Sequence, residues 1–373
     1  SGWLGRVLER EYPDFLNNPP DVPPAIQMGS AGNLTFNNSA GFDMSLNITE
    51  ASQLQRIAQT GQLYDPEAVP ACHYGDQLSY LRAVANNTFR YAEVVSEAYD
   101  NGSNSVEYGN YSLAEQLALV ARLIRGGLGT RLYMVVHDGF DTHAGQNGNH
   151  PRLVQQLADA VRDFHQDLSN AEQGERVLSM TFSEFGRRIE QNASNGTDHG
   201  AAAPLFLFGE GLNGNGSLGG LPDLEEVDEN GNLVYQVDFR SLYATVLEQW
   251  LCIDSSLVDE VMGATFERMP GLGLDCSAVS TFQASRQPAV ALKAWFYGGQ
   301  LFVHYDLPQA GDVEITLYNM LGQPLRSVFR NYQLAGTHQQ QFNLADIGWA
   351  AGVYICNLRV GANQYSKQIS LVR

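Results

Sequence analysis

The sequence predicts an α/β domain followed by a separate all-β domain. Between residues 112 and 251, short apolar runs alternate with helical segments, which indicates a mostly parallel sheet with flanking helices. From Phe302 onward the runs are short and alternating, with turn residues between them, as is typical of a β-sandwich. The 373 residues suffice for two hydrophobic cores. We therefore expect an α/β domain at 1–276, a linker at 277–289 and a sandwich at 290–373.

Composition restricts the partners of the chain. The net charge is −19 and only two of the 22 basic residues are lysines, which argues against nucleic acid or an anionic membrane surface as a partner. No apolar run approaches the roughly 20 residues that a membrane span requires. Four cysteines are too few for a disulfide framework. Cys252 and Cys276 could pair if the protein is exported, whereas Cys356 alternates into a strand and is expected to be buried.

The first part of the chain mixes helices with irregular segments. Helical spacing opens the sequence over residues 2–9. Residues 12–50 are rich in Pro, Asn and Gly, and we expect surface loops with short strands such as 34–36. Helical periodicity returns over 77–98.

A strongly periodic helix is predicted over 112–125. Ser112 lies three residues before Glu115, which is the spacing of a capping box, so we expect the helix to begin there. The elements that follow are a strand at 132–136, a helix at 151–168, a strand at 177–182, a loop at 196–200, a strand at 204–208, a mobile loop at 209–220 and a helix at 241–251. The predicted strands of the C-terminal domain are 302–305, 313–318, 340–344, 353–358 and 368–372.

Two polar clusters follow the predicted strands of the α/β domain. Asp141 and His143 come after the apolar strand 132–136, and Asp198 and His199 form a second pair. Ligands of open α/β sheets bind beyond the carboxyl ends of strands. Carboxylate and imidazole are good ligands for zinc and similar divalent metals. The four residues are therefore predicted to bind one or two metal ions, although such pairs also cap helices and satisfy turns.

Three further residues are candidates for catalysis. Arg187 could contact an anionic substrate through two N–H groups, or form an ion pair with a neighbouring glutamate. Glu184 could orient a ligand histidine. His150 could reach the site, although a position at the start of a helix explains it better. Ser183 is expected to be a turn or helix-cap residue rather than a nucleophile.

The C-terminal domain resembles a family of export signals. The resemblance rests on Ile315–Gly322, on the turn at 335–338, on Ala351–Tyr354 and on the closing segment Ser366–Leu371. In this order they resemble the sorting domain of the type IX (Por) secretion system of Bacteroidetes. The resemblance implies contact with that machinery through residues 290–373, and a secreted or outer-membrane surface location. The alternative is an ordinary immunoglobulin-like binding module.

Residues 2–275 resemble the bacterial family called domain of unknown function 1501. The matching segments are Gly2–Arg6, Gly139–His143, Thr181–Arg188, Gly196–Gly200 and Asp238–Arg240. The family is placed in the alkaline-phosphatase-like and sulfatase-like group. The resemblance implies a partial alkaline-phosphatase-like sheet, with a divalent metal, commonly zinc, that acts on small phosphate or sulfate esters. Asp198 and His199 match the Asp-His metal pair of this group.

The resemblance also has departures that bear on activity. Asp141 and His143 are one residue apart rather than three, and a late third histidine is missing. The first strand of the family should precede Trp3, so the chain is expected to be an N-terminally truncated, inactive fragment whose nucleophile lies upstream. Two functions remain open: a secreted or surface-attached metal-dependent hydrolase, and a non-catalytic cell-surface protein of the same fold.

Overall fold

The chain forms two compact units in a computed structural model, Ser1–Phe282 and Gln283–Arg373. The described residues are 1–16, 19–29, 33–50, 56–57, 61, 64, 69–70, 72–214, 216–276, 292–297, 299–307, 310–319, 323–344, 349, 352–360 and 363–371. The predicted linker 277–289 lies outside them.

The first unit is mixed α/β. Its described helices are α1 (Trp3–Glu11), α2 (His73–Asn101), α3 (Ser112–Arg125), α4 (Gln146–Ser169), α5 (Phe239–Thr245) and α6 (Ser255–Met262). Its described strands are β1 (Ala25–Met28), β2 (Leu46–Ile48), β3 (Leu132–Met134), β4 (Ser179–Met180), β5 (Gly186–Gln191), β6 (Thr197–Gly200) and β7 (Leu207–Phe208). A π-helical turn, Val246–Trp250, continues α5.

A three-stranded parallel sheet in the order β2-β1-β3 lies between two hydrophobic clusters. The side chains of Ile26 and Met28 belong to the cluster formed with α2, α3 and α4. Ala25 and Met134 belong to the other cluster, formed with α1, α5 and α6. Because neighbouring residues of a strand face opposite sides, β1 is buried on both faces, as expected of a parallel strand covered by helices.

Two predicted parallel strands are instead antiparallel to one another. β4 pairs antiparallel with β7, through Ser179 opposite Phe208 and Met180 opposite Leu207. A parallel pair needs a crossover connection, usually a helix, and the fully described segment between these two strands contains no helix. It contains the antiparallel hairpin β5–β6 instead, so the segment 196–200, predicted to be a loop, is mostly strand.

The five predicted helices are found, four of them with different ends. The helix 112–125 is confirmed, but Tyr111 is its N-cap residue and makes no side-chain cap, so the predicted capping box at Ser112 is wrong. The Ser112 hydroxyl accepts a hydrogen bond from Gln116 instead. α4 begins at Gln146, five residues before the predicted start. Residues 34–36 form a 3₁₀ turn rather than a strand.

The second unit is all-β. Its strands are β8 (Leu292–Tyr297), β9 (Gln300–Leu307), β10 (Gly311–Tyr318), β11 (Pro324–Gln333), β12 (Gly336–Asn343), β13 (Gly352–Val360) and β14 (Asn363–Leu371). They form two antiparallel sheets, β11-β10-β13-β14 and β12-β9-β8, which share one buried cluster. Cys356 is buried in that cluster, as predicted, and burial raises the pKa of its thiol to about 12.

None of the helices in the described ranges combines the length and the apolar character that crossing a membrane would require.

Candidate metal centre

The loop after β3 presents Asp141 and His143 to solvent. Gly139 adopts a positive φ of 101°, a conformation that glycine reaches without steric cost, and the chain turns there. Thr142 is buried, whereas Asp141 and His143 on either side of it are exposed. Because Thr142 is buried, both of its neighbours, the potential ligands, lie on the outer side of the loop.

The hairpin β5–β6 carries the second pair. His199 on β6 lies opposite Arg187 on β5, and Gly186 lies opposite Gly200. The register shifts between this end and the pair formed by Gln191 and Thr197. Asp198 and His199 are both exposed near the open end of the strand. The hairpin has little hydrophobic burial of its own, so its contacts with the loop after β3 must hold it in place.

Backbone contacts fix the hairpin against that loop. The carbonyls of Ser194 and Asn195, at the tip of the hairpin, accept hydrogen bonds from the N–H groups of Gly145 and Gln146. These donors lie at the start of α4, where helical N–H groups have no partner within the helix. This pairing accounts for the early beginning of the helix.

Gly196 allows the closest approach between the two segments. A Cβ atom at this position would overlap the backbone carbonyl of His143 and the oxygen of Thr142. Only a residue without a side chain fits between them. The glycine therefore determines how near the strand with Asp198 and His199 comes to the loop with Asp141 and His143.

Three potential ligands converge at this junction. Oδ1 of Asp141 lies 2.8 Å from Nε2 of His199 and 3.2 Å from Nε2 of His143. One donor atom from each of the three residues lies within 4.8 Å of the other two. All three side chains are exposed, at 64%, 45% and 47% for Asp141, His199 and His143.

Asp198 lies on the other side of the His143 imidazole. Its Oδ1 is 3.4 Å from Nδ1 of His143, while Nε2 of the same ring faces Asp141. Asn192 donates one hydrogen bond to Oδ1 of Asp198, at 3.2 Å, and another to the carbonyl of His143, at 3.0 Å. Its own oxygen accepts from the N–H groups of Ser194 and Gly196. One asparagine thus joins the hairpin tip, Asp198 and the loop.

The electrostatics keep both carboxylates ionised. The hydrogen bond with His199 holds the pKa of the Asp141 carboxyl below its ordinary value, and His143 and Arg187 act in the same direction. The hydrogen bond from Asn192 lowers the pKa of Asp198, and His143 adds to the effect. Metal-binding carboxylates must be deprotonated, so these shifts favour cation binding.

Aromatic and cationic side chains hold His199 in position. The ring of Phe185 stacks on the His199 imidazole, with centroids 3.8 Å apart and planes within 5°. Arg187 lies over the same phenyl ring, with its Cζ 4.9 Å from the centroid. Its guanidinium donates to the carbonyls of Thr197 and Phe140, both at 2.5 Å, and lies 3.6 Å from Oδ1 of Asp141.

The other candidates are less closely involved. Glu184 is exposed at the start of the hairpin. His150 is exposed within α4 and contacts the ring of Phe140 edge to face at 5.7 Å, so it lies beside the loop rather than in the cluster. Ser183 accepts from the N–H of Phe185 and donates to its carbonyl, which is the turn role that the sequence predicts.

Sequence reasoning missed two residues of the site. It assigned no role to Asn192 or to Phe185. The segment Asn192-Ala193-Ser194-Asn195-Gly196 carries the Asn and Gly residues of a hairpin turn, which was the available signal for the contacts of Asn192. The stacking of Phe185 on His199 could not be predicted, because no alternation of apolar residues indicates that these two segments pair.

The donor set is one that could bind a divalent metal ion. Imidazole nitrogen and carboxylate oxygen both ligate zinc, at bond lengths near 2.0–2.2 Å. Tetrahedral ligands at such bond lengths lie about 3.3 Å apart. The 3.2 Å separation between Oδ1 of Asp141 and Nε2 of His143 is close to that value, whereas the 2.8 Å separation from Nε2 of His199 is a hydrogen-bond distance. Three protein ligands with solvent on the outer side is the arrangement of an open rather than a closed metal site.

The fold and the site define a mixed α/β protein with an exposed Asp/His cluster, continued by an all-β unit. Residues 39–270, more than half of the chain, match the family described as "Protein of unknown function (DUF1501)", and the chain belongs to that family. Residues 298–372 match the "Secretion system C-terminal sorting domain". This domain directs a protein to the type IX secretion machinery. The protein is therefore secreted and attached to the cell surface or outer membrane.

Comparison with individual proteins adds little. No curated protein matches the chain. Among solved structures, the chain is similar to the Ig1 domain of mouse SynCAM 2, with 15% identity and a TM-score of 0.16, over 22% of this chain and 92% of that one. A likeness with this TM-score carries no argument.

Proposed function

We propose that the Asp/His cluster binds a divalent cation, zinc in the first instance, and serves the hydrolysis of small phosphate or sulfate esters at the cell surface. The observation that carries the proposal is the convergence of Asp141, His143 and His199 from two separate segments onto one exposed point. One carboxylate and two imidazoles brought together in this way are a donor set suited to a divalent cation.

The residues of the cluster have distinct proposed roles. Asp141, His143 and His199 are the direct ligands. Asp198 was predicted as a ligand too, and we propose that it orients His143 through Nδ1, in the carboxylate–histidine–metal arrangement common in metal sites. When bound, the cation would polarise an ester oxygen and lower the pKa of a bound water. Two N–H groups of Arg187 already bond to the carbonyls of Thr197 and Phe140, so only its remaining N–H groups could contact the anionic group of a substrate.

The wider placement of the fold rests on the same geometry. We propose an alkaline-phosphatase-like sheet because the site follows the carboxyl end of β3 in a parallel sheet with helices on both faces. We propose an immunoglobulin-like sandwich for the second unit because its two antiparallel sheets share one buried cluster.

A non-catalytic surface protein with a bound ion is the second candidate. The hydrogen bonds of Arg187 favour this candidate, since two of its N–H groups are bonded to the backbone carbonyls of Thr197 and Phe140. The guanidinium then has a structural task, holding the hairpin to the loop, that needs no substrate.

Zinc titration and ester hydrolysis on the full-length protein separate these candidates. Metal-stripped protein is titrated with zinc by calorimetry, and turnover of 4-nitrophenyl phosphate and 4-nitrophenyl sulfate is measured. The same measurements are made on Asp141→Asn and on the control Asp138→Asn, which changes an exposed carboxylate of the same loop that does not belong to the cluster. Zinc binding and turnover that are both lost only in Asp141→Asn support the hydrolase. Zinc binding without turnover supports the second candidate, and the absence of zinc binding contradicts both.

A further inference from the structure

We propose that Cys252 and Cys276 form a disulfide bond in the exported protein. The two residues lie at the end of the first unit, away from the Asp/His cluster in sequence, and the inference does not depend on the proposed function. It rests on their contact, on the backbone conformation at Cys252 and on the location of the protein outside the cell.

The two cysteines are in direct contact although 24 positions separate them. The thiol of Cys252 donates to the backbone carbonyl oxygen of Cys276 at a distance of 3.2 Å. Burial, and then a hydrogen bond with the Cys276 side chain, raise the pKa of the Cys252 thiol to about 11. The side chains of the two cysteines are therefore direct neighbours in the folded chain.

Cys252 occupies a backbone conformation that favours glycine. The π-helical turn ends at Trp250, and Cys252 follows with a φ of 58°, in the left-handed region. The N–H of Ile253 then bonds to the carbonyl of Leu247 and closes the helix end. Glycine or asparagine is the usual residue there because a Cβ atom is unfavourable. A cysteine at this position indicates that its side chain has a task, and a covalent bond to Cys276 supplies one.

The bond would close a segment that packs tightly on the rest of the unit. This segment contains α6, whose Val261 carbonyl accepts a hydrogen bond from Arg6 of α1 at 2.6 Å. The segment also contains Arg268, which bonds to Glu248, outside the segment, and to Asp259, within it. Cross-linking its two ends restricts the unfolded chain while leaving these contacts unchanged.

The chemistry is available along the export route. Disulfides form and persist outside the cytoplasm, and the sorting domain sends this chain there. Each cysteine loses a proton; one thiolate attacks the disulfide of a thiol–disulfide oxidoreductase, and the second thiolate displaces that enzyme, which leaves as a dithiol. Because the folded thiol has a raised pKa, this exchange belongs to the folding chain, in which the cysteine is more readily deprotonated.

The test is made on the full chain purified from an oxidising compartment and alkylated before digestion. We expect mass spectrometry to find one peptide pair linked through Cys252 and Cys276, which separates on reduction. Thiol titration in denaturant should find two of the four cysteines free without reductant. Four free thiols, or a linked pair that contains Cys72 or Cys356, would overturn the proposal.

Stability gives a second readout on the same protein. Reductant should lower the melting temperature of the first unit by about 5–10 °C, the size expected for a loop of this length. Cys252→Ser, Cys276→Ser and the double variant should each show the same decrease and no further response to reductant. Cys72→Ser is the control and should respond as the unchanged protein does. Additive losses in the double variant would show that the two thiols act independently, against the proposal.

Discussion

Nε2 of His199 lies 2.8 Å from Oδ1 of Asp141, although the two residues are 58 positions apart in the sequence. This contact joins the hairpin β5–β6 to the loop after β3. The proposed metal site depends on this contact, because both imidazoles face the same oxygen atom, Oδ1 of Asp141. Its consequences can be measured without knowledge of the substrate.

The first prediction concerns the ranking of the two carboxylates. Asp141→Asn should abolish zinc binding, since it removes a direct ligand. Asp198→Asn should weaken binding by only about 10–100-fold, the effect typical of a residue that orients a ligand histidine. Isothermal titration with zinc at neutral pH measures both. Equal losses in the two variants would show that Asp198 is itself a ligand.

The second prediction concerns Arg187 and its neighbour. Arg187→Lys should reduce zinc affinity by about 10-fold, since the single ammonium nitrogen of lysine cannot replace both guanidinium nitrogens that bond to Phe140 and Thr197. Arg188→Lys is the matched control, because Arg188 is exposed and the substitution keeps its charge. The same titration compares them. An unchanged affinity in Arg187→Lys would mean that the loop and hairpin hold together without the guanidinium.

The third prediction concerns the close approach at Gly196. Gly196→Ala should destabilise the first unit by about 1–3 kcal/mol, because the new methyl group overlaps the His143 carbonyl and must push the segments apart. Zinc affinity should fall with it. Urea denaturation followed by circular dichroism gives the stability.

Gly148→Ala is the control for this substitution. Gly148 lies in α4, and a Cβ atom there would meet nothing within 4 Å. The alanine should therefore be neutral or stabilise the helix by up to about 1 kcal/mol. If both alanine variants behave alike, the contact between Gly196 and the loop has no energetic weight.

The sequence predicted this site in part, and the reason lies in its two halves. Asp141 and His143 follow an apolar strand, so the parallel-sheet rule located them. Asp198 and His199 lie in a strand whose side chains are mainly polar and exposed, so no periodicity revealed the hairpin. The pairing depends on docking against the loop, through Asn192, Asn195 and Gly196, and docking of this kind is a tertiary property.

The fold shows the same division. The helix 112–125 and the strand β3 have strong apolar patterns and were predicted, although β3 ends at Met134, two residues before the predicted end. The predicted relative direction of β4 and β7 was wrong, because each strand has only two paired residues and an apolar run does not indicate strand direction. The chain between them decided the direction, since it turns back as a hairpin and offers no crossover helix.

The fourth prediction concerns a buried ion pair that stabilises the first unit. Asp167 in α4 is fully buried and bonds to Arg125 at 2.8 Å. Burial alone would raise the pKa of this carboxyl, but hydrogen bonds from Asn104, Ser105 and Tyr108 outweigh it and the net shift is downward. A carboxyl whose pKa is lowered by folding stabilises the folded state at pH values above its ordinary pKa of 3.8. This contribution is lost as the pH falls below 3.8.

Asp167→Asn should therefore cost about 3–5 kcal/mol of unfolding free energy at pH 7, because it leaves the largely buried Arg125 without its counter-charge. The difference from the unchanged protein should be smaller at pH 3, below the ordinary pKa of 3.8, because there the carboxyl of the unfolded chain binds a proton more readily than the carboxyl of the folded chain. Asp159→Asn, on the same helix, breaks an ion pair with the exposed Arg162 and should cost less than about 1 kcal/mol at either pH. Urea unfolding at both pH values measures the set. A loss for Asp167→Asn that stays constant down to pH 3 would show that the carboxylate charge is not what stabilises the contact.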